Sequence, residues 1–358
     1  MAHIEKRGEG RYRVRYRDPD GRERSKTFAL RRDARRFQSV VEEEIARGIW
    51  VDPRAGRRKF GAFAPAVVEP RSSVRPATSA RIASYLRVQI MPAFGESPVG
   101  KITRVSVQAW VDAMAQTLGP RTVRDSYRVF AGFMREAERQ GLIRQSPCYS
   151  IVLPRMARPE PRFLGPDQVE RLAAAIDARY EPLIYTGAYL GPRWSELAGL
   201  KRTNLDLDGR RLRIVGALER VGSGWRYSEQ LKTPRSRRTL SIPKFVADLL
   251  AEQLMMAPES EFVFSSPCGD ILNYRNFRRR FWDPAVARAD LVGVTPHALR
   301  HTCVALMIAE GANPLMVQRQ LGHADLRMTL GTYGHLFPNW DGDVADRMQE
   351  LWWRTKAA

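Results

Sequence analysis

Residues 296–309 read PHALRHTCVALMIA, which predicts a helix that opens on Pro296 and buries the apolar side chains of its second half. His297 and Arg300 are three residues apart, so they share a helix face and can contact one phosphate together. His297 and His301 are four apart, a spacing that also suits a metal pair. No carboxylate lies between them and Arg300 adds positive charge to the same turn, which argues against a metal.

A second anion-binding segment is predicted at residues 191–197, which read GPRWSEL. Pro192 is suited to the first position of a helix, which would place Arg193 in the first turn. Free backbone N–H groups and the helix dipole favour an anion there, and a guanidinium can grip a phosphate with two hydrogen bonds. The alternative is a surface arginine paired with a nearby glutamate, and this segment alone favours that alternative.

Three further side chains are candidates for chemistry. Lys232 lies in the turn between strands predicted at 225–231 and 238–242, and a lysine can give up a proton that an arginine cannot. Basic hairpin tips also serve solubility, so the position is not decisive by itself. His323 follows a short helix and Tyr333 comes ten residues later. Either one alone would be a packing residue.

The composition indicates the class of partner. The 358 residues include 59 Lys and Arg against 39 Asp and Glu, which gives a net charge of +20 and a pI near 10.5. Such a chain is attracted to polyanions, and nucleic acid is favoured over anionic membrane because no long basic amphipathic helix stands out. No secretory signal or membrane-spanning run is found, and three widely spaced cysteines argue against disulfides. A cytoplasmic protein is therefore expected.

The N-terminal residues predict a small sheet-and-helix module. Residues 11–17 alternate strictly, which puts four side chains on one strand face: Arg11, Arg13, Arg15 and Arg17. A turn at 18–21, a second strand at 23–30 and a helix follow. Four arginines in register favour DNA contact over the alternative, a solvated edge that resists aggregation.

The rest of the chain divides by composition. The sequence predicts an N-terminal module at 1–59, a Pro- and Gly-rich linker at 60–78, a helical domain at 79–155 and a mixed, mainly helical domain at 162–358. Near the C-terminus an apolar helix face is predicted from the spacing of Val344, Met348, Leu351 and Trp352.

Taken together, the motifs resemble the tyrosine recombinase family, and specifically the three-domain phage integrases. The ordered set is Gly-x-Arg-x-x-Glu-Leu, a Lys in a β-turn, His-x-Leu-Arg-His, Leu-Gly-His and a late Tyr, over about 162–340. The six active-site positions of the family match Arg193, Lys232, His297, Arg300, His323 and Tyr333.

The resemblance implies a mainly α fold with small β-sheets: an arm-binding domain, an all-helical core-binding domain and a catalytic domain with a three-stranded sheet. It implies a site-specific DNA recombinase that forms a 3′-phosphotyrosine on Tyr333. Arg193 and Arg300 would hold the phosphate and Lys232 would protonate the leaving oxygen. His297 would help to deprotonate the phenol or orient the phosphate, and His323 would donate a hydrogen bond to it.

Partners and alternatives follow from the same resemblance. It implies double-stranded DNA attachment sites, a homo-tetramer on DNA, accessory DNA-bending and excision proteins, and no metal or other cofactor. The expected setting is the nucleoid of a bacterial host, where a phage or mobile element integrates. The apolar C-terminal helix would dock on a neighbouring protomer or on its own chain. Two alternatives are a non-catalytic DNA-binding or architectural factor and a type IB topoisomerase-like relaxing enzyme.

Overall fold

The computed structural model describes residues 2–52, 54–68, 76–157, 161–222, 224–231, 234–256, 259–337 and 341–356. They belong to two compact units, residues 1–158 and 159–358. The prediction of a mainly α protein with small antiparallel sheets is confirmed. Among the described residues, no helix has both the length and the apolar character needed to cross a membrane.

The first unit begins with a three-stranded antiparallel sheet in the order β1 (His3–Lys6), β2 (Tyr12–Arg17) and β3 (Glu23–Phe28). Helix α1 (Arg31–Ala46) packs on one face of it. Strict alternation along β2 buries Val14 and Tyr16 against this helix and turns the arginines to the other face. Sequence reasoning predicted β2, β3 and α1 but not β1.

A helical core follows in the same unit. Its elements are α2 (Phe60–Val68), α3 (Pro76–Tyr85), a π-helical turn (Leu86–Ile90), α4 (Met91–Phe94), α5 (Arg104–Thr117) and α6 (Pro120–Arg139). The rings of Phe94 and Phe130 stack at a centroid distance of 4.6 Å in its centre. The core is a separate apolar cluster from that of the N-terminal sheet.

The predicted linker at 60–78 is wrong for its first part. Residues 60–68 form α2, and the side chains of Phe60 and Phe63 are fully buried in the helical core. These two phenylalanines are three positions apart and share one helix face, which outweighs the Gly, Ala and Pro content of the segment. Residues 69–75 of the predicted linker lie outside the described residues, and residues 76–78 are wrong as linker because they begin α3. The other domain boundaries stay predictions.

The second unit carries the remaining elements. Its helices are α7 (Pro166–Ala175), α8 (Glu181–Leu190), α9 (Trp194–Leu197), α10 (Lys244–Met256), α11 (Tyr274–Phe277), a π-helical turn (Arg278–Trp282), α12 (Asp283–Arg288), α13 (Pro296–Ala309), α14 (Pro314–Leu321), α15 (Leu326–Tyr333) and α16 (Asp341–Lys356). Its strands are β4 (Leu205–Asp206), β5 (Arg211–Ile214), β6 (Ala217–Val221), β7 (Gly224–Ser228) and β8 (Arg238–Ser241).

The strands of this unit pair differently from the prediction. A three-stranded sheet is present, but its order is β4-β5-β8, and β7 pairs with β6 in a separate hairpin. Val221 pairs with Gly224 in that hairpin, so the paired strands are close neighbours in the sequence. Such a local partner explains why β7 does not join the larger sheet. Lys232 lies outside the described residues.

Helices α8 and α13 pack face to face and set the position of the candidate site. A Cβ added to Gly187 of α8 would lie 2.6 Å from the Leu299 side chain of α13. Gly191 ends α8 in the left-handed region, with φ of +69°, and a Cβ there would lie 2.9 Å from Cys303 Sγ. Only glycine permits these approaches, and they place Arg193 beside α13.

Candidate active site

Arg193 is fixed by a buried carboxylate. It is the residue that precedes α9, in extended backbone, rather than a first-turn residue as predicted. Its backbone N–H and its Nη1 each donate to Glu196, at 2.8 Å. The predicted pairing of a guanidinium with a nearby glutamate is thus present. The Arg193 side chain nevertheless keeps 33% of its surface exposed, so it can still meet a ligand.

Glu196 is shared with a second arginine that sequence reasoning missed. Arg238 of β8 donates from Nη2 to Glu196 Oε2 at 2.8 Å and from Nε to the Gln320 carbonyl at 2.8 Å. Burial alone would raise the pKa of Glu196, but the hydrogen bond and charge of Arg238, together with Arg193, lower it overall. The carboxylate is therefore ionised and ties β8 to the segment that holds Arg193, while Arg238 links β8 to α14.

Arg300 is the most enclosed cation of the site. Its exposed fraction is 3%, and its two terminal nitrogens donate to the carbonyls of Gly191 and Leu321, both at 2.7 Å. Burial, followed by repulsion from Arg193, lowers its pKa to about 10, so it stays charged at neutral pH. Two of its five donors serve the carbonyls, which leaves others for a bound anion.

His323 follows the left-handed Gly322 that ends α14. Its Nδ1 lies 2.9 Å from Thr329 Oγ1, and the side chain is buried. Burial and the nearby Arg300 and Arg193 lower its pKa to about 4. The imidazole is therefore neutral at neutral pH and can act as a hydrogen-bond donor without adding charge.

Helix α13 contributes two histidines, His297 and His301, which join Arg193, Arg300 and His323 in what we call the catalytic cluster. His297 lies at an exposed position, but its ring is partly desolvated by its neighbours. This desolvation, together with the charges of Arg300 and Arg193, lowers its pKa. Its ring meets that of His301 edge-on, with the centroids 4.8 Å apart. In the described part of the chain no group of three or more metal-binding side chains is assembled, here or elsewhere.

Tyr333 is the last residue of α15 and faces α13. Its exposed fraction is 3%, and its phenolic oxygen lies 2.6 Å from His301 Nδ1. Burial raises the pKa of Tyr333 to about 12, although Arg300 acts in the opposite direction. The sequence suggests His301 only as half of a metal pair, and its spacing from His297 is the signal that it belongs with these side chains.

The four N-terminal arginines belong to the other unit. Arg11 precedes β2, while Arg13 and Arg17 point to the sheet face away from α1. Arg13 pairs across the sheet with Glu5 and Arg17 with Glu23, so the face carries both charges. Arg15 forms an ion pair with Glu23 as well.

Comparisons with known proteins agree with these features. Residues 162–339 match the phage integrase family and residues 3–47 match the N-terminal domain of phage integrases. The chain is 27% identical to the putative prophage phiRv2 integrase of Mycobacterium tuberculosis, over 98% of this chain and 96% of that protein.

Solved structures share the fold. The Tn1549 transposon integrase, in complex with a circular intermediate DNA, has a TM-score of 0.70 at 21% identity and covers 82% of this chain and 99% of its own. A lambda integrase tetramer bound to a Holliday junction has a TM-score of 0.58 at 16% identity, covering 90% and 95%. The chain belongs to the phage integrase family and is a tyrosine-type site-specific DNA recombinase.

Proposed function

We propose that this recombinase cuts and rejoins DNA through Tyr333, with Arg193, Arg300 and His323 holding the scissile phosphate. One observation carries the assignment. Arg300 donates to the carbonyl of Gly191, two residues before Arg193, and to the carbonyl of Leu321, two residues before His323. A single buried guanidinium thus ties together the segments that carry these two side chains.

The proposed chemistry begins with the phosphate. Arg193 and Arg300 neutralise its non-bridging oxygens and the charge that develops on them in the transition state. His297 stands at the exposed edge of the cluster, where it orients the phosphate, and His323 donates a hydrogen bond to it. Fixed guanidinium groups perform the charge neutralisation that a divalent cation performs in other phosphoryl-transfer sites.

The covalent step exchanges one phosphate ester for another. The phenolic oxygen of Tyr333 gives its proton to His297 as general base and attacks phosphorus. The bond to the 5′ oxygen breaks, and Lys232 gives that oxygen a proton as general acid. Lys232, which lies between β7 and β8 in the sequence, enters on the family motif alone. The product is a 3′-phosphotyrosine and a free 5′-OH, and attack by a 5′-OH reverses the step without an external energy source.

Assembly is proposed on two further surfaces. The arginine face of the N-terminal sheet contacts duplex DNA, and the catalytic unit acts at an attachment site in the nucleoid of a bacterial host.

Helix α16 exposes several apolar side chains: Met348, Leu351, Trp352 and Trp353. The side chain of Val344 lies outside the described ones. We assign this face to a neighbouring protomer of a tetramer on DNA, with accessory bending and excision proteins setting the direction.

The assignment of Tyr333 is tested on a nicked duplex taken from the DNA that flanks the protein's own gene. The nick lets the cut fragment diffuse away, so the covalent adduct accumulates. Wild-type protein and the control Tyr149→Phe, which alters an exposed tyrosine of the other unit, should form the adduct. Tyr333→Phe should bind the same duplex and form none. An adduct with Tyr333→Phe would refute the assignment.

A further inference from the structure

The contact between Tyr333 and His301 is not explained by the proposed chemistry. The phenolic oxygen lies 2.6 Å from His301 Nδ1, and no other side-chain hydrogen bond to that oxygen is found in the described part of the chain. His301 follows Arg300 directly on α13 and stands one turn after His297. The proposed nucleophile is thus bonded to a residue with no assigned role.

The ring of Tyr333 is enclosed as well as bonded. It belongs to a small apolar cluster between α13, α14 and α15 whose buried members include Val304, Ile308, Val317 and Leu321. With 3% of the residue exposed, the phenol is shielded by its own protein. The phenol therefore offers almost no surface to a ligand that arrives from solvent.

The direction of the hydrogen bond follows from burial. A buried hydroxyl hydrogen needs an acceptor, and His301 Nδ1 is the acceptor within reach. Burial and the charges of His297 and Arg300 lower the pKa of His301 to about 4, whereas burial raises that of Tyr333 to about 12. The imidazole is a poor base in this position, so the proton stays on the phenol and the contact does not activate it.

We propose that His301 is a positioning residue that holds Tyr333 in a buried resting position through Nδ1, and that this bond must break before the phenol can attack DNA. We call the His301–Tyr333 contact the phenol latch. The inference rests on the proposed role of Tyr333 as nucleophile. It gives the enzyme a stored, protonated nucleophile, released when α15 moves relative to α13.

The latch is tested first without DNA, by nitration of tyrosines with tetranitromethane. Residues 328–347 form a tryptic peptide with Tyr333 as its single tyrosine, so mass spectrometry reports its modification directly. His301→Phe keeps a ring and removes the acceptor, and nitration of Tyr333 should rise about tenfold, the factor that one buried hydrogen bond represents. His301→Asn places an acceptor oxygen near the position of Nδ1 and should keep nitration close to the wild-type rate.

Two controls keep the result interpretable. Nitration of the exposed Tyr149 is the internal reference, and circular dichroism shows whether each variant is folded. His301→Ala, which also removes the acceptor, replaces His301→Phe if the larger ring prevents folding. Equal nitration of Tyr333 in the wild type, the variant without an acceptor and His301→Asn would overturn the latch. Equally high nitration of Tyr333 in the variant without an acceptor and in His301→Asn would also overturn the latch, because the acceptor at position 301 would then make no difference.

The same variants are then assayed on the nicked duplex. If the latch only restrains the phenol, the variant without an acceptor forms the adduct at least as fast as wild type. A loss of about 100-fold with unchanged DNA binding would instead show that His301 assists the chemistry, which contradicts the proposal. If wild type forms no adduct at Tyr333, the proposed function fails, whereas the nitration result still decides whether the contact restrains the phenol.

Discussion

The arginines of the catalytic cluster and those of the N-terminal sheet are held in opposite ways. Arg300 is 3% exposed and bonded to two carbonyls, and Arg238 is bonded to Glu196 and two more carbonyls. Arg15 and Arg17 lie on an exposed strand face where glutamates face them. Burying a guanidinium costs free energy unless its N–H groups are hydrogen-bonded. A buried and fully bonded arginine is therefore expected where a reaction needs a positive charge at a fixed position. Exposed arginines can attract DNA and adapt to it.

The largest expected effect is on the rate of cleavage. Arg300→Ala should slow adduct formation on the nicked duplex by at least about 100-fold, as the loss of an oxyanion donor does, because a fixed positive charge is removed from the phosphate. Arg171→Ala, at an exposed position on α7, is the matched control and should leave the rate within about twofold. Similar rates for the two variants would remove Arg300 from the site.

A second effect is expected on stability. Arg238→Ala leaves the buried Glu196 with Arg193 as its remaining charged partner and should lower the free energy of unfolding by about 3 kcal/mol. Denaturant unfolding measures this, with the exposed Arg211→Ala on β5 as the control. A loss below about 0.5 kcal/mol, the range of surface substitutions, would show that the pair does not hold the cluster together.

The pH dependence of stability gives a finer comparison. The folded pKa of Glu196 is below its ordinary value of 4.5, so its contribution is complete above that pH and is lost as the pH falls through the folded pKa. The difference in unfolding free energy between wild type and Glu196→Gln should therefore be constant near neutrality and shrink below about pH 4.5. A difference that grows on acidification contradicts an ionised Glu196.

The smallest effect per residue is expected at the N-terminal sheet. Removing Arg13 and Arg17 together should weaken DNA binding and reduce the slope of log affinity against log salt by about one for each phosphate that the protein no longer neutralises. The rate of adduct formation at saturating protein should not change. Arg36→Ala, an exposed position of α1, is the control. An unaltered salt slope would mean that this face does not contact phosphates.

The features that the sequence predicts correctly are those that depend on residues close together in the chain. The α13 helix and the face of β2 follow from local spacing and are found as predicted. The catalytic positions are predicted from the resemblance to the tyrosine recombinase family. Local spacing does not reveal which strand β7 pairs with, or that the helical core buries Phe60. Both depend on which of several possible contacts is the most stable. Arg238 was missed because its role depends on Glu196, some forty positions earlier.

The nucleophile shows the same limit most clearly. The family resemblance predicts Tyr333 as the nucleophile, but its burial and its bond to His301 depend on how α15 packs on α13. No pattern in the chain specifies that packing. Lys232 was identified from the family motif, and its placement stays a prediction because it lies outside the described residues.

The central claim is that the phenol of Tyr333 is the atom that becomes bonded to DNA. The direct measurement is tandem mass spectrometry of the adduct formed by wild-type protein on the nicked duplex, after digestion with nuclease and trypsin. We predict a nucleotide attached to the peptide of residues 328–347, at Tyr333. A nucleotide on any other of the 11 tyrosines, or on a serine, would contradict the account.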